Sequence, residues 1–184
     1  GQPTGVVRAR LARLADADSE SAILGLAGVT YLAPADAGNS PLRDASIDIA
    51  FSNSVLEHVS PDDLQRLFRE MHRVVRPGGI VLHGVNCGDH YAYFDRSISQ
   101  LNYLKFPSSQ WRKWNNDLQF QNRLRPADFV DAASRAGFRL VLRRSRPRLE
   151  LLDALPEESV AQEFRHYSRE ELSTTSLDFA AVRD

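Results

Sequence analysis

The sequence predicts an α/β fold, with a sheet of mostly parallel strands flanked by helices, on three observations. Short apolar, β-branched runs alternate with segments of helical period. Two of these runs, IDIAFS over Ile47–Ser52 and GIVLHGV over Gly79–Val85, are too apolar for an exposed antiparallel edge. Between them lies one long amphipathic stretch, and strand, helix, strand implies a right-handed parallel crossover.

In chain order, Val7, Leu11 and Leu14 share one helical face, and Ser21–Ala27 reads as a shorter helix closed by Gly28. VTYLAP, Val29–Pro34, reads as a strand, followed by Ile47–Ser52. Ser60, Pro61 and Asp63 supply an N-cap, a first-turn proline and a capping acid, so the orphan amides of the next helix have acceptors. That helix runs to about Val75. Leu64, Leu67, Phe68, Met71, Val74 and Val75 form its buried stripe, and Pro77-Gly78-Gly79 stops it before the strand Gly79–Val85. Pro126–Ala136 is a helix with Phe129, Val130 and Ala133 on one face and Gly137 as its C-terminal cap, leading into the strand Phe138–Arg143. Ser168 and Glu171 have capping-box spacing, and Ser176–Val182 reads as a last strand.

The 184 residues suit one domain. Lys and Arg (23) balance Asp and Glu (24), which gives no field for nucleic acid or an anionic membrane surface. A single cysteine, Cys87, cannot make an internal disulfide, and no run approaches the roughly 18 apolar residues of a membrane span. A reducing, cytoplasmic setting is expected. No apolar signal-peptide core opens the chain, although Gly1 need not be its natural start.

In an open sheet, ligands bind outside the carboxyl ends of the strands, so the loops after Pro34, Ser52 and Val85 should carry the chemistry. They read ADAGNSPLRDASIDIAFSNSVLEHV and, after the helix stripe, MHRVVRPGGIVLHGV. This ordered series over about fifty residues resembles the class I (Rossmann-like) S-adenosylmethionine-dependent methyltransferases of the small-molecule type. Their pattern is an acid beyond the third strand, LPxxDxSFD, a fourth strand, LEHV, a helix and RVLRPGG. The resemblance implies S-adenosyl-L-methionine as cofactor. It implies that Asp36 accepts from the adenine amine, with the Ala37 amide on a ring nitrogen. Ser52 and Asn53 would offer backbone groups to the methionine moiety, Val55 would line the wall beside the methyl group, and His58 is the candidate base. Residue by residue, the alternatives are a turn-forming Asp36 and a His58 satisfied at the helix entry.

The pattern departs from the family at its start. The glycine loop of GxGxG type and the acid after the next strand are missing, because Gly25 and Gly28 have the wrong spacing and lie in a helical pattern. The chain is therefore expected to be a single partial domain, 1–184, lacking two central strands. Truncation, a split polypeptide or swapped packing would leave a sheet edge for a homo-oligomer to cover.

Residues 86–125 form an insertion holding both tryptophans. In the family this region covers the acceptor, which nominates Asp89, His90, Tyr91, Asp95, Trp111 and Arg123 as substrate contacts. Plain packing through Leu101, Leu104 and Phe106 is the equal alternative. No metal site is expected, since Asp89-His90 lacks a third ligand at recognisable spacing. The basic tract Arg139–Arg148 reads as an edge strand with a charged face rather than a nucleic-acid surface. The expected function is methyl transfer to a small-molecule or sugar-type acceptor, with activity of this piece alone in question. A non-catalytic module derived from the fold is the rival, and a nucleotide-dependent oxidoreductase is disfavoured because it too needs a glycine fingerprint.

Overall fold

A computed structural model describes residues 4–116 and 119–184 of the chain. Two units are distinguished, one ending at Asp36 and one over Ala37–Asp184. The first holds α1 (Thr4–Ala15) and α2 (Glu20–Ala27). Ser19 caps α2 by accepting from the Ala22 amide, and Gly28 closes it in the left-handed region at φ 70°, where a Cβ would be strained. Val29–Pro34 is not a strand. Its apolar composition suits a ladder, but β structure exists only where a neighbour supplies backbone partners, and none of the described strands pairs with it.

The second unit contains β1 (Ile47–Asn53), α3 (Pro61–Val74), β2 (Val75–Asn86), α4 (Ser108–Trp111), α5 (Pro126–Arg135), β3 (Phe138–Pro147), α6 (Leu149–Asp153), α7 (Arg169–Ser173) and β4 (Thr174–Arg183). The sheet order is β1-β2-β4-β3. β1 and β2 pair in parallel, as the crossover requires, while β4 runs antiparallel to both β2 and β3, so three of the four strands share one direction. The basic tract lies on β3, at the sheet edge and largely exposed as expected.

Helix α3 begins as its cap residues dictate: Ser60 Oγ accepts from the Asp63 amide at 3.1 Å. It ends at Val74, before the glycines. Arg76-Pro77-Gly78-Gly79 instead lies inside β2, bulged between the pairs Ile47–Val75 and Ile49–Ile80. Gly79 is needed there because a Cβ would stand 2.8 Å from the Asp48 carbonyl oxygen and 2.6 Å from Val75 Cγ1. The loop before β1 is fastened to α3 by Glu70, which accepts from the Ser40 amide and hydroxyl at 2.9 and 2.7 Å. The Arg73 guanidinium, then those bonds, hold the Glu70 carboxyl down at about 2. At α7 the capping box is half formed. Ser168 accepts from the Glu171 amide, but the Glu171 carboxylate turns instead to the Ala127 amide and Arg143.

One face of the sheet carries the main core: Val81, Val85, Leu177 and Phe179 pack with Phe68 of α3 and Phe129 of α5. A second core joins the insertion to residues 149–172 through Leu101, Tyr103, Leu104, Trp111, Leu152 and Phe164. The two cores meet at Arg125, wholly buried. Its guanidinium donates to the Cys87 and Glu171 carbonyls at 3.0 and 2.8 Å and also reaches the Leu172 and Thr174 carbonyls and the Tyr103 hydroxyl. Buried polar groups are tolerated only with such partners.

Candidate active site

The carboxyl ends of β1 and β2 lie side by side. Beyond Asn53 the chain turns at Ser54, a non-glycine residue at φ 53°, whose amide donates to the Gly84 carbonyl at 2.9 Å. Such backbone costs of order 1–3 kcal/mol and marks sites where surrounding contacts fix it. Gly84 is equally constrained, since a Cβ would lie 2.5 Å from Asn53 Oδ1. A cavity of about 370 Å³ opens here, lined by Asn53, Ser54, Asn86, Tyr93, Arg146 and Asp178 among others. A larger one of about 780 Å³ lies over the second core, against Leu152, Arg165 and Arg169, and contains none of the expected site residues.

The next residues form a single 3-10 turn, Leu56–His58. Asn122, buried in the returning end of the insertion, clamps it: Asn122 Nδ2 donates to the Leu56 and Val59 carbonyls at 2.7 and 2.8 Å, and its amide donates to the Glu57 carbonyl. The turn directs the Glu57 side chain inward, 1% exposed, with neither carboxylate oxygen hydrogen bonded. Burial pushes its carboxyl upward, opposed by the charge of His58 and the nearby Glu57 and Asn86 amides, which fall short of bonding geometry. His58 is exposed, with Nδ1 2.7 Å from the Phe120 carbonyl oxygen. Its ring lies 5.0 Å from that of His90. Burial, then His58, pulls His90 downward towards the neutral form. Asn86 Nδ2 lies 3.0 Å from His90 Nε2 and donates to Tyr93 Oη.

The expected residues separate into groups. Asp36 is exposed at the end of the first unit, and Ala37 is exposed in a turn opening the second. Asn53, and Val55 beyond it, lie at the β1 end. The Ser52 side chain points to the core, where Oγ is 2.8 Å from Nδ1 of the buried His83, so only its backbone faces the loop. Among the insertion residues, His90 stands by His58. Asp89 is a buried cap that accepts from the Tyr91 amide at 2.9 Å. The Tyr91 hydroxyl donates to the Trp114 carbonyl, and Asp95 folds onto Ser97. Trp111 is buried in the second core. Arg123 is engaged by Glu163 at 2.7 Å and the Tyr103 carbonyl, with its guanidinium over Trp111 and Phe164. The polar groups of Asp89, Trp111 and Arg123 have protein partners, and Trp111 and Arg123 also line a cavity of about 350 Å³ with Asn122, Phe164 and Tyr167. Cys87, buried and pushed up to about 12, is held as a thiol.

Glu57, Asn86, Tyr93 and Asn122 were missed by sequence reasoning. Glu57 alone had a signal, its place inside LEHV.

Residues 6–83 match the family model described as a methyltransferase domain. A malonyl-[acyl-carrier protein] O-methyltransferase of Pectobacterium atrosepticum is 32% identical over 98 residues, 53% of this chain. The chain thus spans about a third, 32%, of that relative's length. Among solved structures, a SAM-dependent methyltransferase of Methanosarcina mazei is 14% identical, with TM-score 0.49 over 80% of this chain and 64% of that one. Geranyl diphosphate C-methyltransferase of Streptomyces coelicolor A3(2) is 16% identical, with TM-score 0.46 over 81% and 52%. The ordered motifs from ADAGNSPLRD to RPGG lie within residues 6–83, the segment similar to this methyltransferase domain.

Proposed function

We propose that this chain contributes cofactor and acceptor residues to an enzyme that transfers a methyl group from S-adenosylmethionine to an oxygen, nitrogen or carbon nucleophile of a small-molecule or sugar-type acceptor. The observation that carries the reading is the polar cavity at the β1 and β2 carboxyl ends, where Asn53, carried over from the family motif, and Ser54 meet Asn86 and Tyr93. The O-methyl transfer named for the Pectobacterium relative supports the reaction class.

The residues present fit the amino-acid end of the cofactor. A zwitterion needs cationic and anionic partners, and the cavity wall offers Arg146 and Asp178 beside the Asn53 amide. Gly84 lets the Asn53 side chain lie close against β2 at the cavity wall. The nucleotide end would rely on Asp36 and the Ala37 amide, since no GxGxG run is in the sequence. S-adenosylmethionine, when bound, supplies an electrophilic methyl on a sulfonium sulfur. The chain's own residues position and desolvate: Val55 and the Ser52 and Asn53 backbone shape the wall. His58, with Nδ1–H held by the Phe120 carbonyl, keeps Nε2 open to accept a proton from an acceptor. At the β1 edge, exposed Ile49 and Phe51 (57% and 77%) support a homo-oligomer as partner.

Isothermal titration of the chain with S-adenosylmethionine and S-adenosylhomocysteine tests the reading. Binding that Asp36→Ala or Asn53→Ala weakens at least tenfold, or about 1.4 kcal/mol, supports it. A folded chain that binds neither sinks the cofactor role for this piece and leaves the non-catalytic module.

A further inference from the structure

The Glu57, His58 and His90 cluster has a property that methyl transfer does not require. One ligand atom from each, a carboxylate oxygen and two imidazole nitrogens, lies within 4.8 Å of the others. Donor atoms on one zinc ion at about 2.0–2.1 Å stand about 3.4 Å apart, so roughly 1 Å of side-chain closure completes the set. His58, exposed and held at Nδ1 by the Phe120 carbonyl, supplies it by a shift of its ring about that contact.

Two independent features point the same way. Glu57 is a carboxylate 1% exposed with both oxygens unpartnered, an arrangement costly for an anion unless a cation meets it. The Phe120 carbonyl takes Nδ1–H of His58 and so fixes the tautomer with Nε2 bare, the outer-shell contact that orients ligating histidines. The other side chains described against His90, Asn86 and Tyr93, are neutral hydrogen-bonding groups.

We infer that Glu57, His58 and His90 form a binding site for one divalent first-row transition ion. Two imidazoles and a carboxylate suit Zn²⁺ or Fe²⁺ rather than Mg²⁺ or Ca²⁺, which prefer oxygen. Three protein ligands leave a position open for water or an acceptor oxygen. Asn86 Nδ2, which now donates to His90 Nε2 at 3.0 Å, gives way to the ion. The site does not depend on cofactor binding, and its test uses no S-adenosylmethionine.

The whole chain, stripped with chelator, is titrated with Zn²⁺ alone by calorimetry, and with Co²⁺ by visible absorption. One ion per chain is expected, with Co²⁺ d–d bands of nitrogen-oxygen ligation. Glu57→Gln, His58→Ala and His90→Ala should each weaken Zn²⁺ binding by at least about tenfold, since even outer-shell losses cost 10–100-fold. Far-UV circular dichroism confirms folding of each variant. His58→Ala alters an exposed side chain, so it carries the test if Glu57→Gln fails to fold. No Zn²⁺ bound by the folded wild-type chain, or binding unchanged in the folded variants, overturns the site.

Discussion

Lowering the pH from 8 to 5 should destabilise the fold through one buried imidazole. His83 sits in β2, wholly buried between Phe68 and Phe179, with Nδ1 on Ser52 Oγ and Nε2 without a partner. Burial lowers it from 6.5 to about 4. The sign follows from linkage. Between these values the unfolded chain binds the proton and the folded chain does not, so stability is complete above about pH 6.5 and lost as pH falls towards 4. At 1.36 kcal/mol per pH unit the full loss is roughly 3 kcal/mol, of which roughly 2 kcal/mol is reached at pH 5. His72 and His90 shift in the same direction, while Glu57 and Asp89 shift oppositely. Urea unfolding of the wild type is therefore compared with His83→Gln, which keeps an acceptor for Ser52. The variant should lose about 2 kcal/mol less between pH 8 and 5. Parallel curves would refute a neutral buried His83.

Arg125→Met should cost more than about 3 kcal/mol, read as a lower urea midpoint, because it strips the donors from four carbonyls and a hydroxyl where the two cores meet. Gly79→Ala should cost about 1–3 kcal/mol, since its Cβ collides with backbone that cannot yield; a thermal melt unchanged from wild type would contradict the bulge. Ser60→Ala should cost about 1 kcal/mol of unfolding free energy by removing the α3 cap.

The sequence was most informative where a signal is local. The Ser60-Pro61-Asp63 start of α3, the stripe Leu64–Phe68, the parallel crossover and the charged edge of β3 follow from caps and periodicity, which depend on residues a few positions apart. Where a signal needs a remote partner, the reading diverged. Val29–Pro34 has strand composition but no ladder, and the glycines expected to stop α3 serve a bulge whose need is set by Asp48 on a neighbouring strand.

The same division runs through the site. ADAGNSPLRD, LEHV and RPGG, read in order, carry the resemblance to methyltransferases, since a series of short motifs is a one-dimensional property. Which polar groups remain available was decided in three dimensions. Asp89, Trp111 and Arg123 look eligible in a polar, aromatic insertion; folding gives Asp89 a capping role, Trp111 a place in the second core and Arg123 an ion pair with Glu163. Asp89-His90 offered no third ligand along the chain. Folding brings Glu57 and His58 to His90 from more than thirty positions upstream, because β1 and β2 pair in parallel and end together. Composition and spacing thus determined most of the elements and the resemblance to methyltransferases, while the pairing of strand ends, which no local spacing encodes, decided which side chains share a site.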